Sequence, residues 1–517
     1  MTRDTSGTAV RDALRRLYAD PGLPDRVFRG VARSGGGLVL AVMLLVGGFL
    51  LYRAWQALSR AGWSFLTTEA WEPDAGRFGI AAVLVGTVLI ARVAVAVAVP
   101  LAVGGALYIS QYAPPRLRRT LISVVDLMAA VPSVVYGLWG LFFFEGRILP
   151  SVPRPPPCRS PGCCSPGCCR SAAPSASWPW RTGCSSPCTR LLVSFDENGP
   201  AVRDRLAAGV VQSLGLVMVV ALGFVVVFTL WEGRKALPHL NFFTQDMAEA
   251  GPLDPLSSGG ILHAILGTLE QITIALALTV PTGMVCAVFL NEVPGRFARF
   301  VRTVVEAMTA LPPIVAGLFV YATVILALGF DRSGLAASLA LAVMMLPIII
   351  RAADVVIRLV SGTLREASYA LGTSRWRTVW HVVLPTARSG LTTSVILGTA
   401  RGIGETSPMP LTAGFTAEIN GDPLSGPQVS LPLATFEFVK SPEPTMIARG
   451  FGTAAVLMAL VLVPFVVARV VGGRGPGQLT RRQEHRRVQA SRRDAERFAA
   501  RSGRAAPRDT PMDTRSE

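Results

Sequence analysis

Nine apolar runs dominate the chain: about 37–57, 79–109, 121–144, 206–231, 262–290, 303–330, 334–358, 390–413 and 449–472. A helix needs about 20 mostly apolar residues to cross the hydrocarbon core of a bilayer, and each run reaches that length. The pattern predicts an all-α, polytopic transmembrane helix bundle. The first run begins near Gly36, after a basic stretch with Arg11, Arg15, Arg16, Arg26, Arg29 and Arg33. It reads as a signal anchor rather than a cleaved presequence.

Arginine sets the direction of the spans, because short cytoplasmic loops collect positive charge. Arg296, Arg299 and Arg302 share one loop; Arg365, Arg375, Arg377 and Arg388 surround another. The tail from Arg474 to Glu517 holds twelve arginines against six acids. If the last six spans alternate, all three segments fall on one side, the cytoplasm. The stretch 414–448 carries Glu418, Asp422, Glu437 and Glu443 with only Lys440, and suits the outside. The second half is thus a six-span unit with both ends inside.

Composition agrees with this reading. Hydrophobic residues make up 51% of the chain, which belongs to an integral membrane protein. The net charge of +17 is that of cytoplasmic loops and gives no reason to expect nucleic acid as a partner. Lys235 and Lys440 are the only lysines, an arginine bias typical of a GC-rich coding sequence.

The two halves repeat one another. "GTVLIARVAVAVAVP" (Gly86 to Pro100) matches "GTLEQITIALALTVP" (Gly267 to Pro281) with equal Gly-to-Pro spacing. "MAAVPSVVYGL" (Met128 to Leu138) matches "MTALPPIVAGL" (Met308 to Leu318). The first half is a sibling of the second, but it stops after three spans.

Between the fourth and fifth spans of the complete half lies "EASYALGTSRWRTVWHVVLP", Glu366 to Pro385. Ala367, Ala370 and Leu371 have near-helical spacing, and Gly372 permits a sharp turn. The pattern predicts a short helix, a bend, and a second short helix ended by Leu384-Pro385. Trp376, Val379, Trp380 and Val383 give the second helix an apolar stripe. Physics alone leaves two uses open: docking in a groove of a partner, or lying in the headgroup layer.

Glu366, Ala367, Gly372, Leu384 and Pro385 stand at the spacing of the EAA loop, and the segment resembles that of bacterial ABC importer permeases. Ser368 replaces the usual alanine, and Val382 the usual isoleucine. The resemblance implies a type I importer permease core. In that family this loop couples the spans to a cytoplasmic ATPase. Two ATPase subunits, a second permease subunit and an extracytoplasmic binding protein would be the partners. ATP would be bound by the partner, with no cofactor in this chain.

"TARGIGETSPMPL" (Thr399 to Leu411) resembles the signature of the phosphate-specific permeases, PstA and its sibling PstC. "PSVVYGLWGLF" (Pro132 to Phe142) resembles a PstC span, and "LPPIVAGLFVY" (Leu311 to Tyr321) the matching PstA span. The resemblance covers about 35–145 on the PstC side and 200–473 on the PstA side. It implies phosphate as the solute; another solute such as an amino acid or molybdate is the chemical alternative. Arg401 and Glu405, four apart, share a helix face, and ionisable residues within a span seek a partner or a watery cavity. Either the two form a salt bridge that only stabilises the bundle, or Arg401 supplies positive potential along an anion path, with Glu405 holding and releasing it. Arginine matches phosphate oxygens bidentately. Gly402 and Gly404 allow close helix approach, and Thr406 can bond across helices. In the first half, Arg92 is a second cationic candidate, with pairing to Asp126 as its alternative. Glu270 and Glu306 read as helix partners or as a pore seal.

No GxxxxGK[ST] phosphate loop is present, no catalytic triad stands out, and an enzyme is not expected. Residues 146–195 lack Asp, Glu and Lys and are dense in Pro, Arg, Ser and Cys. Cys163-Cys164 and Cys168-Cys169 lack the paired spacing of a zinc site. Nothing there can cross a bilayer, yet three spans starting inside end outside, where a six-span unit cannot begin. A frameshift or deletion would leave such a stretch, in place of the sibling's fourth span and coupling loop. The expected organisation is therefore a cytoplasmic segment (1–35), a partial PstC-like permease (36–145), a linker (146–199), a six-span PstA-like permease (200–473) with its coupling loop at 361–390, and a basic cytoplasmic tail (474–517) whose charge mixture predicts a solvated extension. A membrane-inserted product that does not transport is the second alternative.

Overall fold

The computed structural model describes residues 22–72, 77–114, much of 117–148, 199–293, 295–471 and 488–497. Among these residues the regular elements are helices, apart from a two-residue antiparallel ladder, β1 (Trp71–Glu72) against β2 (Arg77–Phe78). Helix α1 (Leu23–Ala61) is followed by α2 (Ala81–Leu107) and the short α3 (Ser133–Trp139). The second half comprises α4 (Gly199–Gly233), α5 (Leu262–Glu292), α6 (Arg296–Met308), α7 (Pro313–Val320) and α8 (Gly334–Arg358). It continues with α9 (Gly362–Ala370), α10 (Arg375–Thr378), α11 (Leu384–Ile403), α12 (Leu431–Lys440) and α13 (Pro444–Val471).

Six of these helices are long and apolar enough to span a membrane, seven if the bent pair α6–α7 counts as one. Two of the nine expected spans are therefore corrected. The run at 303–330 is not straight: Arg296–Met308 and Pro313–Ala327 meet at 102°. Pro312 and Pro313 cannot continue α6, and α6 is strongly amphipathic, with Ala298, Val301, Val305 and Met308 buried. The run at 390–413 ends as a helix at Ile403, before a non-helical Glu405-Thr406 and a single turn at Met409–Thr412. Within 121–144, residues 121–122, 124–125 and 128 are helical, the chain breaks at Val131-Pro132, and α3 and a π-helical segment, Gly140–Ile148, follow; the other residues of this run lie outside the described ones. The outer stretch 414–448 is also more than a loop, since α12 lies in it with Leu431, Leu433, Ala434 and Phe438 buried.

The internal repeat reappears in the backbone. In each half a helix carries one interior proline, Pro100 in α2 and Pro281 in α5. In each half the helix that follows "VP" or "LPP" runs into a π-helical turn, α3 into Gly140–Ile148 and α7 into Tyr321–Ala327.

The core of the second half gathers α5, α8, α11 and α13 around Ile272, Met345, Ile349, Ile403 and Leu457. Glycine lets α11 lie close to α8: a methyl group at Gly390 would strike Val356, one at Gly398 would strike Ile349, and one at Gly402 the Met345 sulfur. Close approach through small residues is how helices gain dispersion contact in lipid, where burial from water gives nothing. The first half attaches by the same device. Gly35 and Gly36 of α1 lie against Val285 and Phe289 of α5, and Ala32 and Val39 join the cluster of Cys286, Phe289 and Leu290. Helix α2 touches α4 through its buried Gly104 and Gly105 and is otherwise exposed.

Candidate functional site

Two regions carry the sequence-predicted residues. The first is the end of α11. Arg401 occupies the last turn of the helix, and Gly404 caps it in an αR conformation. Arg401 Nη2 and Glu405 Oε1 are 2.8 Å apart, with side chains 49% and 5% exposed. The pair is made across the helix end rather than along one helix face, and it is uneven: the carboxylate is enclosed and the guanidinium is half in the open. A small cavity of about 10 Å³ backs Glu405, lined among others by Thr268, Gln271, Gly402 and Ser430. Gln271 Oε1, Ser430 Oγ and Thr406 Oγ1 are buried without a hydrogen-bond partner. Thr406 thus donates to no neighbouring helix.

Gly402 packs on α8 and α5, but Gly404 faces the first half, where a methyl group would lie 3.1 Å from Pro132 Cα. The proline that opens α3 therefore rests on the signature loop of the second half. Arg92 is exposed on α2, and Asp126 falls outside the described residues. Glu270 accepts from Gln428 Nε2, and Gln271 Nε2 donates to the Gln428 carbonyl at 2.8 Å, so Glu270 acts as a partner of the 428–431 segment. Glu306 is exposed on α6. The cysteines between 158 and 188 lie outside the described residues.

The second region is 361–390. Helix α9 exposes Glu366 and Ala367 and buries Ser368. Gly372 turns the chain at φ +79°, a left-handed conformation that glycine adopts without strain. Ser368 contributes what alanine could not: its Oγ bonds Thr373 Oγ1 at 2.6 Å and Thr378 Oγ1 at 2.9 Å, closing a hydroxyl triad across the bend. Arg365 anchors α9 to the end of α5 through Glu292 at 2.9 Å. Asp354 accepts from Asn291 and Arg302 and pairs with Arg358 at 2.6 Å, tying α5, α6 and α8 together at this face.

One expectation fails here. Helix α10 does not stop at Leu384-Pro385. It passes through a π-helical turn, Val379–Val383, directly into α11. The wider turn shifts the hydrogen-bond register just ahead of Pro385, and the helical path runs on past this residue, which has no N–H to donate. Residues 375–383 and α11, which carries Arg401 in its last turn, are therefore one continuous helical path, 375–403.

Arg449 escaped sequence reasoning. Its side chain is buried in α13 and donates to the carbonyls of Pro255 at 2.9 Å and Ser258 at 2.8 Å, with longer bonds to Gly251 and Asp254. It pins the 251–258 loop. The available signal was an arginine at the start of the last apolar run, which is costly unless satisfied.

Residues 279–474 match the family described as "Binding-protein-dependent transport system inner membrane component". The chain is 37% identical over 250 residues to the phosphate transport system permease protein PstA 1 of Mycobacterium tuberculosis (strain CDC 1551 / Oshkosh), covering 47% of this chain and 82% of that protein. The chain belongs to this permease family. It is also 36% identical over 247 residues to PstA of Mycobacterium leprae, covering 48% and 81%. An N-terminal part of the permease is 42% identical over 132 residues to the phosphate transport system permease protein PstC of Mesorhizobium japonicum. That match covers 26% of this chain and 39% of the PstC relative. The permease also aligns at 17% identity and a TM-score of 0.34 with a solved structure of the methionine ABC transporter MetNI, covering 42% of this chain and 95% of that one; this likeness is too distant to argue from. The permease is a multi-pass protein of the bacterial inner membrane.

Proposed function

We propose that this permease forms the translocation path of an ATP-driven phosphate importer. The observation that carries the reading is the uneven Arg401–Glu405 pair: a half-exposed guanidinium, oriented by an enclosed carboxylate, at the end of a helical path that starts in the coupling segment. Its PstA relatives are named as phosphate transport permeases. Arg401 offers a planar fork to the oxygens of a tetrahedral anion, and Glu405 competes for it. When the anion takes Arg401, Glu405 loses its partner, so the pair can switch between holding itself and holding solute. Thr406 and Gly404 complete this loop; Arg92 remains the second cationic candidate.

Glu366 and Ala367, exposed on α9, together with Gly372, Leu384 and Pro385, form the surface offered to a separate ATPase pair. ATP is hydrolysed there, not in this chain. A second permease subunit or homologue and an extracytoplasmic phosphate-binding protein complete the assembly. The boundaries proposed above stand with it: a partial PstC-like region ahead of a PstA-like permease, joined by residues 146–199. Reading the gene and its transcript across codons 140–210 tests that junction; an unbroken frame would overturn a frameshift origin.

The functional test is uptake of labelled phosphate into vesicles holding the permease and its ATPase, with the binding protein supplied outside. ATP-dependent uptake displaced by unlabelled phosphate, but not by molybdate or amino acids, is expected. Uptake displaced by either of the others would assign a different solute.

A further inference from the structure

The cytoplasmic end of α1 belongs to the first half of the chain, yet it ends on the coupling segment of the second. Asp25 lies in the first turn of α1 and is buried, 9% exposed. Its Oδ1 accepts the backbone N–H of Trp376 at 3.0 Å, across 351 positions of sequence. Trp376 is in the first turn of α10, where backbone N–H groups have no partner within the helix. The local cap residue, Ser374, makes no side-chain cap bond. Asp25 therefore supplies from another helix what the local sequence withholds. Two helix starts converge on one carboxylate, and negative charge there offsets the partial positive charge of both. Phe28, one turn on in α1, packs tilted at 54° against Trp376 with ring centroids 5.5 Å apart, and Trp376 stacks on Trp380 at 5.3 Å. Beside this ladder, α1, α5 and α11 part around an apolar cavity of about 450 Å³ walled by Phe28, Val285, Val288, Trp376, Trp380 and Leu391. The end of α1 is thus held at the coupling segment by the cap, by the rings and by the packing of Phe28 on the cluster of Val288, Val379 and Val383.

We propose that the start of α1 is a brace for the coupling segment, with Asp25 as its positioning residue. The first half of the chain thus takes part in coupling even though it is a partial permease. The role rests on the reading of 361–390 as the ATPase-coupling segment. Motion of α10 relative to α5 must break or carry the Asp25 contact, so the brace sets how rigidly ATPase movement reaches 375–403.

Hydrogen exchange of the full chain, read on the peptide spanning 374–379, tests the contact without any assumption about transport. Asp25→Ala removes the acceptor and speeds exchange about fivefold, the effect expected of a lost N-cap. Asp25→Asn keeps an oxygen acceptor and restores most of the protection, and Phe28→Ala loosens the same peptide through the rings. Unchanged exchange in both Asp25→Ala and Phe28→Ala overturns the brace. In vesicles with the ATPase, Asp25→Ala lowers phosphate taken up per ATP hydrolysed by the same order, with ATPase binding retained. Faster exchange with an unaltered ratio overturns the coupling role. Wild-type vesicles without ATP-driven phosphate uptake would instead refute the functional reading, and the brace would then stand or fall on the exchange data.

Discussion

Arg401 and Glu405 meet at 2.8 Å, but Glu405 is enclosed while half of the Arg401 side chain is open. Such a pair is asymmetric in what its loss does. Removing the arginine strands a buried carboxylate, whereas removing the carboxylate leaves an arginine that can still be solvated.

Arg401→Ala is therefore expected to destabilise the permease by about 1–3 kcal/mol. Adding Glu405→Gln to it recovers most of that loss, because an amide needs no counter-charge. Thermal unfolding in detergent of the wild type, the single variant and the double variant measures both. A single variant as stable as the wild type would show that the pair does not hold the helix end.

Gly372 turns the 361–390 segment at φ +79° with open space around it. Gly372→Ala meets no clash, so its whole cost is the left-handed backbone, about 1–2 kcal/mol. Local exchange in 368–378 is expected to rise while global unfolding barely moves. Ser368→Ala breaks the hydroxyl triad and loosens the same residues; protection unchanged in both would argue against a bend held from these two points.

Arg449 fixes the 251–258 loop through carbonyl oxygens at 2.8 and 2.9 Å. Arg449→Ala should cost about 3 kcal/mol or more, counting two bonds from a charged donor. Arg449→Lys recovers little, since a single ammonium cannot spread its donors as the guanidinium fork does. Unfolding temperatures of the two variants separate these effects. A lysine variant as stable as the wild type would mean that charge, not geometry, is what the loop needs.

Sequence legibility followed the range of the forces involved. The coupling segment was legible because its spacing is local: Gly372 turns where a turn was expected. The Arg401–Glu405 pair was legible because four residues separate its members. The 102° bend between α6 and α7 was hidden, since hydropathy measures composition and not direction, although Pro312-Pro313 marked the break. The continuous path through Pro385 was hidden as well, because a π-helical turn is a register choice made by the surrounding helices. The Asp25–Trp376 contact could not be read at all, since its members lie 351 positions apart and each looks ordinary in its own segment.

The most direct measurement is labelled-phosphate uptake by vesicles containing the full chain, its ATPase and the binding protein, compared between the wild type and Arg401→Ala/Glu405→Gln. The double variant keeps the fold without the cation, so stability does not cloud the result. ATP-driven uptake in the wild type and its loss in the double variant, by at least about tenfold for one charge-assisted contact to phosphate, is what this account predicts. Equal phosphate uptake by both chains would contradict it and reduce Arg401 to a surface residue at the end of a helix.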